Sequence, residues 1–137
     1  MTQERWSKWK PLTDDSLEKV PCKRGVYELK ANFYVSRLLG KSPILYVGSA
    51  PKEGTTGADG VYGRLGCFEQ IYDEEKDEVW HHHARRDVRT LLQRKRLSPD
   101  KIQFRYKLCS NPEEEEERLL QEYKHKYLEL PPFNKRK

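Results

Sequence analysis

The sequence predicts an α/β (α+β) fold, with a small, mainly antiparallel three-stranded sheet flanked by helices. Three observations lead there. Two short β-type runs, residues 25–30 and 44–48, stand close together and are joined by an interval containing Gly40 and Pro43. Residues 102–108 alternate strictly, with Ile102, Phe104, Tyr106 and Leu108 against Gln103, Arg105 and Lys107. Two long segments, residues 81–97 and the stretch after Pro112, carry apolar residues at helical spacing.

In chain order, residues 1–24 form an N-terminal helical extension. Thr13-Asp14-Asp15 starts its helix, and Leu17 and Val20 are the apolar side. Trp6 and Trp9 are expected to cap the core. Residues 25–137 form the main part of what is a single domain overall. Its first strand places Val26 and Glu28 on one face and Tyr27 and Leu29 on the other. Residues 31–39 fit either a hairpin arm or a short helix, and residues 40–43 read as a turn. Residues 44–48 are apolar enough for a central strand.

A glycine-rich loop follows over residues 49–63, then a short helix from about Val61 carrying Tyr62, Arg64, Leu65 and Phe68. Residues 73–78 are an acidic surface loop. The helix over 81–97 has Ala84, Val88, Leu91 and Leu92 as its stripe, and arginines populate the rest. The last helix has an N-cap in Asn111, Pro112 at the first helical position, and glutamates that complement the positive end of the dipole. Leu119, Leu120, Tyr123 and Tyr127 form its buried side, and Pro131-Pro132 ends it.

Composition narrows the function. Net charge is +5 and mean hydropathy −1.03, yet three Trp, eight Tyr and four Phe give a core to bury. Five of the acids sit together at 113–117, so the remaining surface is strongly basic and suits an anionic partner such as nucleic acid. Cys22, Cys67 and Cys109 include no CxxC pair, which argues against a zinc knuckle and for reduced thiols. Neither a signal peptide nor a membrane-spanning apolar run is visible, so a cytoplasmic protein with no membrane partner is expected.

One ordered set of residues is similar to the GIY-YIG nuclease domain: Gly25-Val26-Tyr27, then Tyr46-Val47-Gly48-Ser49-Ala50, Arg64, the histidines before the basic helix, Glu116 with Leu119-Leu120, and Pro131-Pro132-Phe133-Asn134. The resemblance spans about residues 25–134. No single triplet is specific; the order on the right kinds of element is. The tyrosines stand 19 residues apart, more than the family's usual interval, so the hairpin between them carries an insertion. The family's histidine one helical turn after the arginine is Phe68 here.

The resemblance implies a metal-dependent DNA endonuclease that hydrolyses phosphodiester bonds by a one-metal mechanism, leaving a 5′-phosphate and a 3′-hydroxyl. Tyr46, with Tyr27 as hydrogen-bond partner, would position or deprotonate the attacking water. A free phenol titrates at about pH 10, so such a base needs help from its surroundings. Arg64 would hold the scissile phosphate, whose oxygens suit a guanidinium fork. His83, with His82 close behind, would assist proton transfer. Glu116 would hold one divalent ion, Mg²⁺ or Mn²⁺, because Leu119, Leu120 and Tyr123 put its face toward the sheet. Glu122 is the reserve ligand, and residues 113–115 and 117 read as solvated.

Gly48, Arg85, Arg86, Arg89 and Asn134 complete the expected substrate side, with Arg105 and Lys107 adding phosphate contacts. The partner would be double-stranded or branched DNA, bound by a monomer or a transient dimer. The length suits a small stand-alone enzyme, restriction-like or structure-specific. The alternative is a catalytically inactive nucleic-acid-binding module of the same fold.

Overall fold

The structure, a computed structural model, describes residues 5–52, 60–69 and 83–134. His81, His82, the acidic loop at 73–78 and most of the glycine-rich loop lie outside them. The elements run β1 (Lys10–Pro11), α1 (Asp14–Leu17), β2 (Gly25–Ser36), β3 (Lys41–Ala50), α2 (Gly60–Glu69) and α3 (His83–Lys95). A 3₁₀ turn (Pro99–Lys101), β4 (Gln103–Leu108) and α4 (Pro112–Tyr127) complete the order. No helix among the described residues is long and apolar enough to cross a membrane.

The sheet is antiparallel throughout, with four strands in the order β1-β4-β2-β3. The expected three strands are joined by β1, two residues that pair with Phe104 and Gln103 of β4. The N-terminal segment is thereby part of the sheet. It is also part of the core, since Leu12, Leu17 and Val20 pack with Tyr27, Leu29, Val61, Val88 and Phe104. Thr13 caps α1 by accepting from the Ser16 amide at 3.3 Å, as its Thr-Asp-Asp start predicts.

Two strand expectations need correction. The run at 44–48, expected in the middle of the sheet, lies in β3 at its edge. It is apolar because its faces are covered, and its outer edge is closed by the tail instead of a strand. The Phe133 amide donates to the Leu45 carbonyl at 3.0 Å. Asn134 accepts from the Val47 amide at 2.9 Å and donates to the Val47 carbonyl at 2.8 Å. An edge satisfied in this way offers no template for another strand.

The turn is the second correction. Residues 31–36 belong to the hairpin arm, and the chain reverses at residues 37–40, where the Arg37 amide donates to the Gly40 carbonyl at 2.8 Å. Gly40 sits at φ +78°, which glycine adopts without strain. Ser42 and Pro43 lie inside β3 where pairing shifts register between Lys30↔Ile44 and Val35↔Ser42. A proline without an N–H is tolerated at such an irregularity on an edge strand.

The helices follow their patterns. Ala84, Val88 and Leu92 form the fully packed stripe of α3. Arg85, expected among the exterior arginines, is itself fully buried, so it does not belong to an outward basic face. On α4, Asn111 accepts from the Glu114 amide at 3.4 Å, Pro112 opens the helix, and Leu120 and Tyr123 are buried.

The expected basic outer face of β4 is also different in the folded chain. The Arg105 guanidinium lies against two indoles, 4.2 Å from the Trp6 ring and 4.7 Å from the Trp9 ring. It also pairs with Glu28 at 2.7 Å. Lys107 pairs with Glu115 and lies over Trp6. These two cations are internal partners and not free phosphate contacts. Trp6 and Trp9 act as a cap, but over a buried charge cluster.

Replacing Asn134 with alanine removes both hydrogen bonds to Val47. The expected loss is about 1–3 kcal/mol, read as a lower urea midpoint with an unchanged m-value.

Candidate functional site

The site is built where β2, β3, α2 and α4 converge. Directly opposite residues of an antiparallel pair share a face, and Tyr27 stands opposite Gly48. Tyr46, two residues earlier on β3, shares that face. The two phenol rings lie with centroids 6.1 Å apart and planes tilted by 45°. Tyr27 is completely buried, whereas Tyr46 is half-buried.

Gly48 is what permits this arrangement. A Cβ there would stand 2.5 Å from Tyr27 Cζ and 2.7 Å from Tyr46 Cε2, well inside contact distance. The triplet Tyr46-Val47-Gly48 thus needs its glycine so that two rings can cross the same patch of backbone. Gly48 provides space, and Asn134, with its amide on the Val47 backbone, fixes the edge of the strand that carries Tyr46.

Arg64 comes from α2, whose Val61 and Leu65 are buried while Arg64 is exposed. The start of this helix is pinned to the segment before β2. The Val61 amide donates to the Lys23 carbonyl at 2.9 Å and the Tyr62 amide to the Pro21 carbonyl at 3.3 Å. Gly60, at φ +65°, lets the chain turn against the backbone of Cys22 and Lys23. Glu116 comes from α4, where it is half-buried and accepts from the Ser49 hydroxyl at 3.3 Å.

All three elements act on the Tyr46 hydroxyl. Burial pushes its pKa up to about 12, and the negative charge of Glu116 adds to the rise. The Arg64 guanidinium and a hydrogen bond from Tyr27 oppose it. Tyr46 therefore senses a carboxylate, a guanidinium and a second phenol at once. At neutral pH it is a protonated phenol.

The predicted residues separate into those that meet and those that do not. Tyr27, Tyr46, Arg64 and Glu116 are brought together. Glu122, the reserve ligand, is exposed and pairs with Arg118. Arg86 and Arg89 lie on α3, exposed and half-buried respectively, while Arg85 is in the interior. His83 opens α3, and its side chain is outside the described residues together with His81 and His82.

Two contributions escaped the sequence reading. Ser49 was legible only as part of the triplet's flank, yet its hydroxyl fastens Glu116. Glu115, expected in solvent, is bound by Arg118 and Lys107, and those hydrogen bonds, Arg118's foremost, push its carboxyl down to about 2. The signal for Glu115 was faint, because Lys107 lies just before the helix cap and only the fold turns it back.

The candidate donor for a hard divalent ion is a carboxylate. Glu116 supplies a single carboxylate, and no group of three or more His, Cys, Asp or Glu side chains stands together among the described residues. Magnesium keeps several waters and takes one or two carboxylates, so a lone half-buried Glu fits it. Comparison with protein-family models, curated proteins and solved structures yielded no match.

Two measurements test this geometry. Gly48→Ala forces the rings apart and is expected to destabilise by about 1–3 kcal/mol in chemical denaturation. The raised Tyr46 pKa means that the folded state holds this proton more tightly than the unfolded chain does. Its contribution is full below pH 10 and is lost as pH rises through about 12. Alkaline unfolding of the wild type compared with Tyr46→Phe should therefore diverge above pH 10, by up to about 2–3 kcal/mol.

Proposed function

We propose that the chain is a divalent-metal-dependent DNA endonuclease of the GIY-YIG kind that hydrolyses phosphodiester bonds. One observation carries the reading: Tyr46 is acted on at once by Tyr27 of β2, Arg64 of α2 and Glu116 of α4. These are the residue types that phosphoryl hydrolysis needs, and they come from four separated parts of the chain.

Each side chain has a task in this reading. Arg64, exposed at the edge of the site, receives the scissile phosphate and offsets charge on its oxygens as the transition state forms. The Tyr46 hydroxyl, whose oxygen accepts from Tyr27, orients the attacking water in line with phosphorus. It takes up a proton only as a phenolate, and with a pKa pushed up to about 12 that form is scarce at neutral pH. Any change that neutralises Glu116 removes the second cause of that rise. Glu116 would hold the metal ion, with Ser49 fixing its carboxylate rotamer. When bound, the ion supplies positive charge to the phosphoryl oxygens.

The basic residues on the exterior of α3, Arg86 among them, suit backbone contacts that position DNA without reading its sequence. A cytoplasmic setting and a restriction-like or structure-specific role belong to the same proposal.

The test is nicking of supercoiled plasmid in Mg²⁺. Wild type should cut, while Glu116→Ala, Arg64→Ala and Tyr46→Phe should each lose activity on the order of 10²-fold or more while still binding DNA. Tight DNA binding with no cleavage of linear, supercoiled or branched substrates would instead make the chain a binding module of the same fold.

A further inference from the structure

A pocket lies beside β1, on the N-terminal side of the sheet. It is a cavity of about 180 Å³, walled by Tyr106 of β4 and by residues of the segment that forms β1 and α1. Three lysines line it, Lys8, Lys10 and Lys19, together with the hydroxyl-bearing Ser7 and Ser16. No carboxylate lines it. Among the described residues none of the three ammonium groups forms an ion pair or a ring contact. This contrasts with Arg105 and Lys107 on the neighbouring strand, whose charges are already matched by Glu28 and Glu115.

The walls of the pocket are held in place by the fold. The Ser7 amide donates to the Tyr106 carbonyl at 2.8 Å, and the Tyr106 amide donates to Ser7 Oγ at 3.0 Å. Ser16 Oγ is fastened by Thr13 at 3.2 Å, and the Ser16 amide by the same side chain. Three lysines and no carboxylate among the lining residues make the pocket favourable for an anion. A tetrahedral oxyanion can accept from several ammonium donors at once.

Register relates this pocket to the tyrosines. Tyr106 stands opposite Tyr27, and Tyr27 stands opposite Gly48, so the three form one row across β4, β2 and β3 on a shared face.

We propose that the cavity lined by Lys8, Lys10 and Lys19 is a second phosphate subsite, which seats a backbone phosphate of the bound nucleic acid. The assignment rests on the nucleic-acid reading given above. A free phosphate or a mononucleotide presents the same oxygens, so the test separates the sources.

The full-length wild type and a Lys8→Gln, Lys10→Gln, Lys19→Gln variant are compared in two measurements. Inorganic phosphate and a 5′-mononucleotide are titrated while the amide resonances of Ser7, Ser16 and Val20 are followed by NMR. Binding of a DNA duplex is then measured over a range of salt. The expected result is a phosphate-dependent shift in wild type that the variant lacks. With it come roughly tenfold weaker duplex binding and a salt slope shallower by about 1, the signature of one lost phosphate contact.

An unchanged slope and affinity would overturn the backbone assignment, and with phosphate shifts intact would give the pocket to a free phosphate ester. Absence of any phosphate-dependent shift in wild type would overturn the subsite altogether, whether or not the plasmid is nicked.

Discussion

The crossing of two tyrosine rings over Gly48 is the constraint on which the rest of the site depends. It requires β2 and β3 to pair in one register, because a slip by one residue would turn Tyr46 or Tyr27 to the opposite face. That register is held from both sides. β4 pairs with β2 residue by residue from Gly25 to Lys30, and the tail closes the free edge of β3 through Asn134. The insertion in the hairpin is absorbed beyond this region, where the pairing shifts between Lys30 and Val35.

A consistent division of charge follows from that frame. Cations near the middle of the sheet are neutralised internally: Arg105 by Glu28 and two indoles, Lys107 by Glu115. The burial that makes these pairs close also makes them costly to break, since each lost partner leaves a desolvated charge. Burial pushes the Glu28 carboxyl up even with Arg105 against it. Cations at the margins, Arg64 and the lysines of the N-terminal pocket, sit where an external anion can reach them. A net charge of +5 therefore understates how unevenly the positive charge is available.

Much of the fold was legible because its signals are local. The caps at Thr13 and Asn111, the stripe of Ala84, Val88 and Leu92, and the alternation around Phe104 each depend on residues within a few positions of one another. Of the site, Tyr27, Tyr46, Arg64 and Glu116 were legible as a set through the resemblance of their order to a nuclease domain. That Glu116 is half-buried while Glu122 is exposed was legible too, from the helical spacing of Leu119, Leu120 and Tyr123. Arg85 was not, because one turn of a helix rich in arginine leaves the direction of each side chain open until its neighbours are known.

By itself, then, the sequence determined most of the elements and the caps of α1 and α4, since periodicity and capping rules act over short distances. The tertiary structure alone decided strand order, the closing of the β3 edge by Asn134, and which charges meet. Those contacts join residues 67 positions apart for Ser49 and Glu116 and 77 for Glu28 and Arg105. No local rule reaches across such separations; only the packing of the sheet against its helices and tail brings the partners together.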